Sequence, residues 1–212
     1  MKLAVFSESP ADDAAIRIFI EGFLGVKTEV IALPSLQTRN WPAVRDDLPK
    51  VLHHLHYYTD AEALVVVADS DNSPVHQQLH DETDVANAKC RVCQLNTVVN
   101  QTLKHVGSVS GRMPLKVAIG LAVPAIEAWY RCGIDPHATE AMLIQKRGSP
   151  IRELKNQLKR DVYGIDRPSL ELETRRAIEE ATRLIQNLDM IEQLFPNGFG
   201  TLARNIRSWH QG

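Results

Sequence analysis

Short apolar runs in the first 123 positions alternate with amphipathic helical segments. KLAVFS, ALVVVA and LKVAIGLAV predict three strands, and KTEVIAL predicts another after the first. PADDAAIRIFIEGFLG and WPAVRDDLPKVLHHLHYY have the apolar spacing of helices, the second with an expected interruption near Pro49. Because strands separated by helices pair in parallel through crossovers, the pattern predicts an α/β fold with a mainly parallel sheet flanked by helices.

Beyond the last of these strands, every amphipathic segment has helical spacing. In SPIRELKNQLKRDVYG, Ser149 is the predicted N-cap, Pro150 the first helical residue and Gly164 the stop. RPSLELETRRAIEEATRLIQNL and GTLARNIRSW predict further helices. We therefore divide the chain into an α/β core over residues 1–132 and a helical C-terminal region over 133–212 that packs on this core.

Composition is that of an ordinary globular protein. Of the 212 residues 44% are hydrophobic, and no apolar run approaches the roughly 20 residues that a membrane-spanning helix needs. The start, MKLAVFSESPADD, lacks the apolar stretch of a signal peptide, and three cysteines do not suggest a disulfide framework. We therefore expect a cytoplasmic protein that does not associate with membranes.

Acidic side chains follow three of the predicted strands. Glu8 comes after the first strand, Asp69 and Asp71 come after ALVVVA, and Glu127 lies just beyond the last strand. Ligands of open α/β sheets bind at the carboxyl ends of the strands, so these carboxylates are expected to surround one crevice. Clustered carboxylates repel one another unless a cation such as Mg²⁺ or Mn²⁺ joins them. The alternative for each residue is a solvated loop carboxylate or a helix N-cap.

The order of the acids resembles the TOPRIM pattern of topoisomerases, primases and OLD-family nucleases. In VFSESPADD and VVVADSD, a glutamate follows the first strand, an acid comes four residues later, and an Asp-x-Asp follows a later strand. These residues are Glu8, Asp12, Asp69 and Asp71. VPAIEAWYRCG, GSPIRELKNQL and FPNGFGTLARNIRSW are similar to segments of a bacterial TOPRIM-like family marked by Ile-Glu-Ala-Trp, some of whose members lie near defence genes.

The resemblance implies a TOPRIM-like, Rossmann-like fold and phosphodiester hydrolysis. Asp69 and Asp71 would hold Mg²⁺ or Mn²⁺, Glu8 would ligate the metal or move a proton, and Glu127 would complete a second metal site. The expected protein is a nuclease in bacterial defence or nucleic-acid processing, with an ATPase as a candidate partner. None of the four tyrosines is a recognisable counterpart of a topoisomerase nucleophile, so hydrolysis is expected rather than strand passage.

One departure from the TOPRIM pattern keeps a second interpretation open. Many TOPRIM domains have glycine after the glutamate, whereas Ser9 and Pro10 stand here, and proline fixes φ and removes a backbone donor. A catalytically silent TOPRIM-like module that acts as a binding or regulatory subunit is therefore the alternative to an enzyme. A receiver-like signalling domain is disfavoured, because it needs a lysine after a late strand, where Glu127 stands.

Basic residues on the first long C-terminal helix supply a candidate nucleic-acid surface. Arg152, Lys155 and Lys159 recur opposite its apolar stripe, and such a row can follow phosphates. The alternative is a solvated helix face, because Glu153 and Asp161 dilute the positive charge.

The long connection between ALVVVA and LKVAIGLAV contains four side chains with metal-ligand chemistry. His76 and His80 are four residues apart, and Cys90 and Cys93 form a Cys-x2-Cys pair. Surface histidines and buried thiols give the same spacing without a metal. Because no second Cys-x2-Cys pair supports the signal, we predict that the four residues do not all meet and that zinc is not a cofactor.

Overall fold

Four parallel strands form the central sheet, in the order β2-β1-β3-β4. The computed structural model describes residues 1–36, 39–80, 87–145 and 150–210. The strands are β1 (Lys2–Ser7), β2 (Glu29–Val30), β3 (Ala63–Asp69) and β4 (Lys116–Ala122). The predicted α/β fold with a parallel sheet is confirmed in the described residues. The second strand is shorter than KTEVIAL predicted, since its ladder with β1 contains only two residues.

Helices flank the sheet on both faces. Those of the first part are α1 (Pro10–Leu24), α2 (Trp41–Tyr58) and α3 (Arg91–His105). Those that follow β4 are α4 (Glu127–Tyr130), α5 (Glu140–Gln145), α6 (Ile151–Tyr163), α7 (Leu170–Leu184), α8 (Leu188–Leu194) and α9 (Phe199–Arg207). Among the described helices, none combines the length and the apolar character of a bilayer span.

Capping residues explain where several helices begin and end. The Ser9 side chain accepts a hydrogen bond from the amide of Ala11, and Gly25 ends α1 in the left-handed conformation. The expected interruption near Pro49 is wrong, because α2 is continuous through this residue. Helix α6 begins after Pro150, and the predicted N-cap Ser149 lies outside the described residues.

Alternating side chains of β3 divide the hydrophobic core into two clusters. One cluster contains Ala63, Val65 and Val67, and the other contains Leu64, Val66 and Ala68. The first cluster continues into α1, α7 and α9, and the second into α2 and α3. The C-terminal helices α7 and α9 therefore share a core with the sheet. Burial of each Val or Leu side chain in this core stabilises the fold by about 1.5–3 kcal/mol.

Helix α9 lies close against β4 because glycine removes the intervening side chain. A Cβ atom on Gly198 would lie 2.3 Å from the carbonyl oxygen of Leu121, and one on Gly120 would lie 3.0 Å from Leu202. Next to this contact, the Glu140 carboxylate accepts a hydrogen bond of 2.9 Å from the amide of Asn197. The C-terminal region thereby supports the strand that leads to Glu127.

Candidate active site

The carboxyl ends of three strands open onto a pocket of about 190 Å³ that acids line. Glu8 follows β1, Asp69 ends β3, Glu127 begins α4 just after β4, and Asp12 lies on the first turn of α1. All four side chains line the pocket. The expected convergence is confirmed for Glu8, Asp69 and Glu127, since neighbouring parallel strands end at one edge of the sheet.

Hydrogen bonds fix the directions of two pocket carboxylates. The amide of Asp69 donates to Oε1 of Glu8 at 3.0 Å. The amide of Ile126 in turn donates to Oδ1 of Asp69 at 3.1 Å. These bonds connect the ends of β1 and β3 with the loop after β4, so the acids are held before any ligand arrives.

Asp71 lies at the border of the pocket, in an unusual backbone conformation. Its φ is 45°, in the left-handed region that Asp and Asn tolerate better than most residues. The amide of Asp71 donates to the carbonyl of Pro124 at 3.1 Å. Its carboxylate lines a neighbouring groove rather than the pocket itself.

Two basic side chains bridge the acids. The Nζ atom of Lys155 lies 2.8 Å from an oxygen of Asp69 and 2.8 Å from an oxygen of Asp71. Arg91 donates from Nη2 to Asp71 at 2.7 Å, and its Nη1 lies 3.5 Å from Oε1 of Glu8. Lys155, which the sequence placed on a phosphate-binding face, therefore directs its ammonium to the acids. No pattern in the sequence indicated Arg91, because its approach to the acids depends on how the long connection folds.

Polar groups from the C-terminal helices complete the far side of the pocket. Lys159 places Nζ 3.7 Å from Oε1 of Glu127 and 3.3 Å from Oε1 of Glu173. The hydroxyl of Tyr130 donates to Oδ1 of Asp12 at 3.3 Å. No sequence pattern distinguished Glu173, because acids are common on a charged amphipathic helix such as α7.

Burial raises the pKa of three pocket acids, Glu8, Asp12 and Glu127, and so makes them difficult to ionise. Burial, and after it the charge of Asp69, raises the pKa of Glu8 and that of Glu127 to about 7. Burial, and then the charge of Glu127, raises the pKa of Asp12 well above its ordinary value. A cation bound among these carboxylates would favour their ionised forms.

The pKa of Asp71 is shifted in the opposite direction. Burial raises this pKa, but the hydrogen bond and charge of Lys155, together with Arg91, outweigh burial, so the pKa is lowered. Burial also lowers the pKa of Lys155, and the charges and hydrogen bonds of Asp69 and Asp71 outweigh it, so that pKa is raised. Without a metal, Asp71 and Lys155 are therefore an ionised pair.

An open groove of about 740 Å³ adjoins the acid pocket. Its basic side chains are Lys89, Arg91, Arg152, Lys155 and Lys159. All three residues that the sequence predicted for nucleic-acid binding are among them. Trp41 supports the groove, with the Arg91 guanidinium 4.5 Å from the centre of its ring. An anionic polymer in this groove would pass directly beside the acids.

The connection after β3 brings together the two histidines and two cysteines considered above. The ligand atoms of His76, His80, Cys90 and Cys93 all lie within 4.8 Å of one another. The prediction that they do not all meet is therefore wrong, and the chain has a cluster with the geometry to hold a metal ion. A 3-10 turn at Gln78–His80 and the position of Cys90 at the N-cap of α3 create this proximity, which sequence spacing alone does not define.

The chain has no match among protein-family models, curated proteins or solved structures. The acid pocket, the basic groove and the His/Cys cluster are therefore the features from which its function must be inferred.

Proposed function

We propose that the protein is a Mg²⁺- or Mn²⁺-dependent phosphodiester hydrolase, a nuclease of TOPRIM type whose substrate lies in the basic groove. The observation that carries this proposal is the shared border of the two sites: Lys155 and Lys159 line both the acid pocket and the groove. In metal-dependent hydrolysis of a nucleic acid, a cation stabilises charge at the scissile phosphate and basic groups hold the neighbouring phosphates. The two adjoining sites meet both needs.

The donor set suits a hard divalent cation. The candidate ligands are the carboxylates of Glu8, Asp69, Asp71 and Glu127, and oxygen is the ligand atom that Mg²⁺ and Mn²⁺ prefer. Asp69 and Asp71 already converge on one positive charge, since the Lys155 ammonium lies 2.8 Å from each. A divalent cation at this position would replace the ammonium as the shared partner.

Each side chain then has a distinct task. A bound Mg²⁺ or Mn²⁺ would supply positive charge that stabilises the charge developing on the phosphate. Asp69 and Asp71 would hold the ion, with Glu127 as a further ligand on the far side of the pocket. Glu8, whose pKa of about 7 lies near neutrality, would accept a proton from the attacking water. Arg91 would bind phosphate oxygens at the border of the groove.

Replacing both aspartates at the end of β3 tests this function. Asn at positions 69 and 71 keeps the side-chain size and tolerates the left-handed conformation of Asp71, but it removes the charges. We expect the parent to cleave DNA or RNA with Mn²⁺ and not with EDTA. The rate of Asp69→Asn/Asp71→Asn should be lower by a factor of at least about 100. Asp46→Asn, at an exposed surface pair with Arg45, should retain activity. Equal rates for the double variant and the parent would contradict the proposal.

One observation favours a second candidate, a catalytically silent binding or regulatory module. Lys155 and Arg91 already neutralise Asp69 and Asp71, so a metal must displace an ammonium to enter. A silent module would bind nucleic acid, or a protein partner such as an ATPase, without cleavage. Calorimetric titration with Mn²⁺ separates the two candidates: binding that disappears in Asp69→Asn/Asp71→Asn supports the enzyme, whereas a parent that neither binds Mn²⁺ nor cleaves supports the silent module.

A further inference from the structure

Away from the acid pocket, the connection after β3 forms a second cluster of ligand side chains. Cys90 and Cys93 are free thiols and are buried, as is His76, while His80 is half-buried. Their four ligand atoms come from two short segments: the 3-10 turn and the residues just before it, and the N-cap and first turn of α3. Two nitrogens and two sulfurs are a common ligand set of structural zinc sites.

Three sulfur-to-nitrogen distances in the cluster match those of a tetrahedral zinc site. Sγ of Cys90 is 3.6 Å from Nδ1 of His76, and Sγ of Cys93 is 3.5 Å from the same nitrogen. Sγ of Cys93 is also 3.6 Å from Nδ1 of His80. Zinc bonds of about 2.3 Å to sulfur and about 2.0–2.1 Å to nitrogen, at the tetrahedral angle, place sulfur and nitrogen about 3.6 Å apart.

Hydrogen bonding explains this arrangement less well than a shared cation does. Nδ1 of His76 faces the thiols of both Cys90 and Cys93, whereas a neutral ring nitrogen has a single lone pair to accept with. Cys93 in turn faces ring nitrogens of two histidines. A metal ion at the centre of the four atoms would bind each of them through one lone pair.

We propose that His76, His80, Cys90 and Cys93 bind a structural zinc ion. Four protein ligands complete a tetrahedral site and leave no position for a substrate, so the ion would stabilise the fold rather than take part in catalysis. This proposal does not depend on the proposed nuclease function, since none of the four residues lines the acid pocket or the groove.

The ion would hold the segment that carries two groove residues. Arg91 follows Cys90 directly, and its amide donates to Oγ of Ser73 at 3.0 Å. The same hydroxyl donates to the carbonyl of Lys89 at 3.1 Å. Zinc bound beside these contacts would fix the start of α3 against the connection, and with it the position of the Arg91 side chain at Asp71.

Metal analysis of the whole chain tests the proposal. The protein is purified under reducing conditions without added metal, and its zinc content is measured by plasma mass spectrometry. We expect the parent to carry stoichiometric zinc. The zinc content of Cys93→Ser and of His76→Ala should be lower by a factor of at least about ten. Matched controls are Cys132→Ala, a buried cysteine of the other core cluster, and His53→Ala, an exposed histidine. Both controls should keep zinc.

Cobalt substitution gives a second measurement that does not depend on whether Cys93→Ser folds. Co²⁺ in the parent should show the visible bands of tetrahedral coordination and a sulfur-to-metal charge-transfer band, both unchanged in Asp69→Asn/Asp71→Asn. A reduced parent that takes up neither zinc nor cobalt would overturn the proposal. A folded Cys93→Ser variant that keeps its zinc would overturn it too, as would zinc that is lost only when Asp69 and Asp71 are replaced.

Discussion

Replacing Glu127 by glutamine tests whether the acid pocket destabilises the metal-free protein at neutral pH. Glu127 is 5% exposed, and burial followed by the charge of Asp69 raises its pKa from 4.5 to about 7. Glutamine has nearly the same shape and cannot ionise. The variant therefore removes one titration and keeps most of the packing.

The sign of the effect follows from proton binding. Between pH 4.5 and about 7, folded Glu127 keeps a proton that the unfolded chain has released, so the free energy of unfolding falls as pH rises. This stability is fully present below pH 4.5 and is lost as pH rises through about 7. A rise in pKa from 4.5 to about 7 corresponds to about 3 kcal/mol. The attraction between Lys159 and ionised Glu127 lowers this pKa, and the value of about 7 already includes it.

Urea unfolding in EDTA, followed by the fluorescence of buried Trp129, measures the difference. Relative to the parent, the free energy of unfolding of Glu127→Gln should rise by about 2–3 kcal/mol between about pH 5 and about pH 8. Glu171→Gln, at an exposed position, should follow the parent at every pH. If the curves of Glu127→Gln and the parent are parallel, then Glu127 does not retain a proton in the folded state, and the reasoning fails.

Three further changes test other parts of the structure. Lys155→Met should lower the metal-free free energy of unfolding by about 1–3 kcal/mol, because it removes the cation that Asp69 and Asp71 share and leaves Asp71 with Arg91 alone. It should also tighten Mn²⁺ binding in calorimetry; unchanged affinity would show that ammonium and metal do not compete. Gly198→Ala should destabilise the protein by about 1–3 kcal/mol in urea, because its Cβ would collide with Leu121, whereas Gly107→Ala, with open space around it, should stay within about 0.5 kcal/mol. If both glycine variants behave alike, the close approach of α9 is not required. Arg152→Ala should reduce the salt dependence of DNA binding, measured by fluorescence anisotropy, by about 1 in the logarithmic slope; an unchanged slope would place the DNA elsewhere.

The acids at the sheet edge were predictable because their placement depends on local features. Each strand that supplies one of them is a short apolar run, and parallel pairing brings the strand ends together regardless of what lies between them. Glu8 and Asp69 are 61 residues apart in sequence, yet the Asp69 amide donates to Glu8. The same logic placed Glu127 correctly, because it follows the last strand of the sheet.

Features that depend on long connections were not predictable in the same way. Arg91 and the His/Cys cluster acquire their positions from the path of the chain between β3 and α3, which no periodicity describes. Lys155 was assigned to the correct helix face, but a pattern of charges cannot tell whether a lysine contacts a phosphate or a neighbouring aspartate. The length of the second strand was overestimated, because β propensity does not reveal how many residues find a partner on the neighbouring strand. Pro34, which follows soon after, also disfavours a longer strand.

The shared core of the sheet and the C-terminal helices has a consequence for the order of events during synthesis. The strands leave the ribosome first, but the face of β3 that carries Val65 and Val67 is covered in part by α7 and α9, which are made last. Until α7 and α9 are made, α1 covers this apolar face only in part, and until α6 is made, the carboxylates at its edge lack Lys155. A nascent chain that contains the complete sheet therefore still has an incompletely covered core, and its cluster of acids still lacks the ammonium of Lys155.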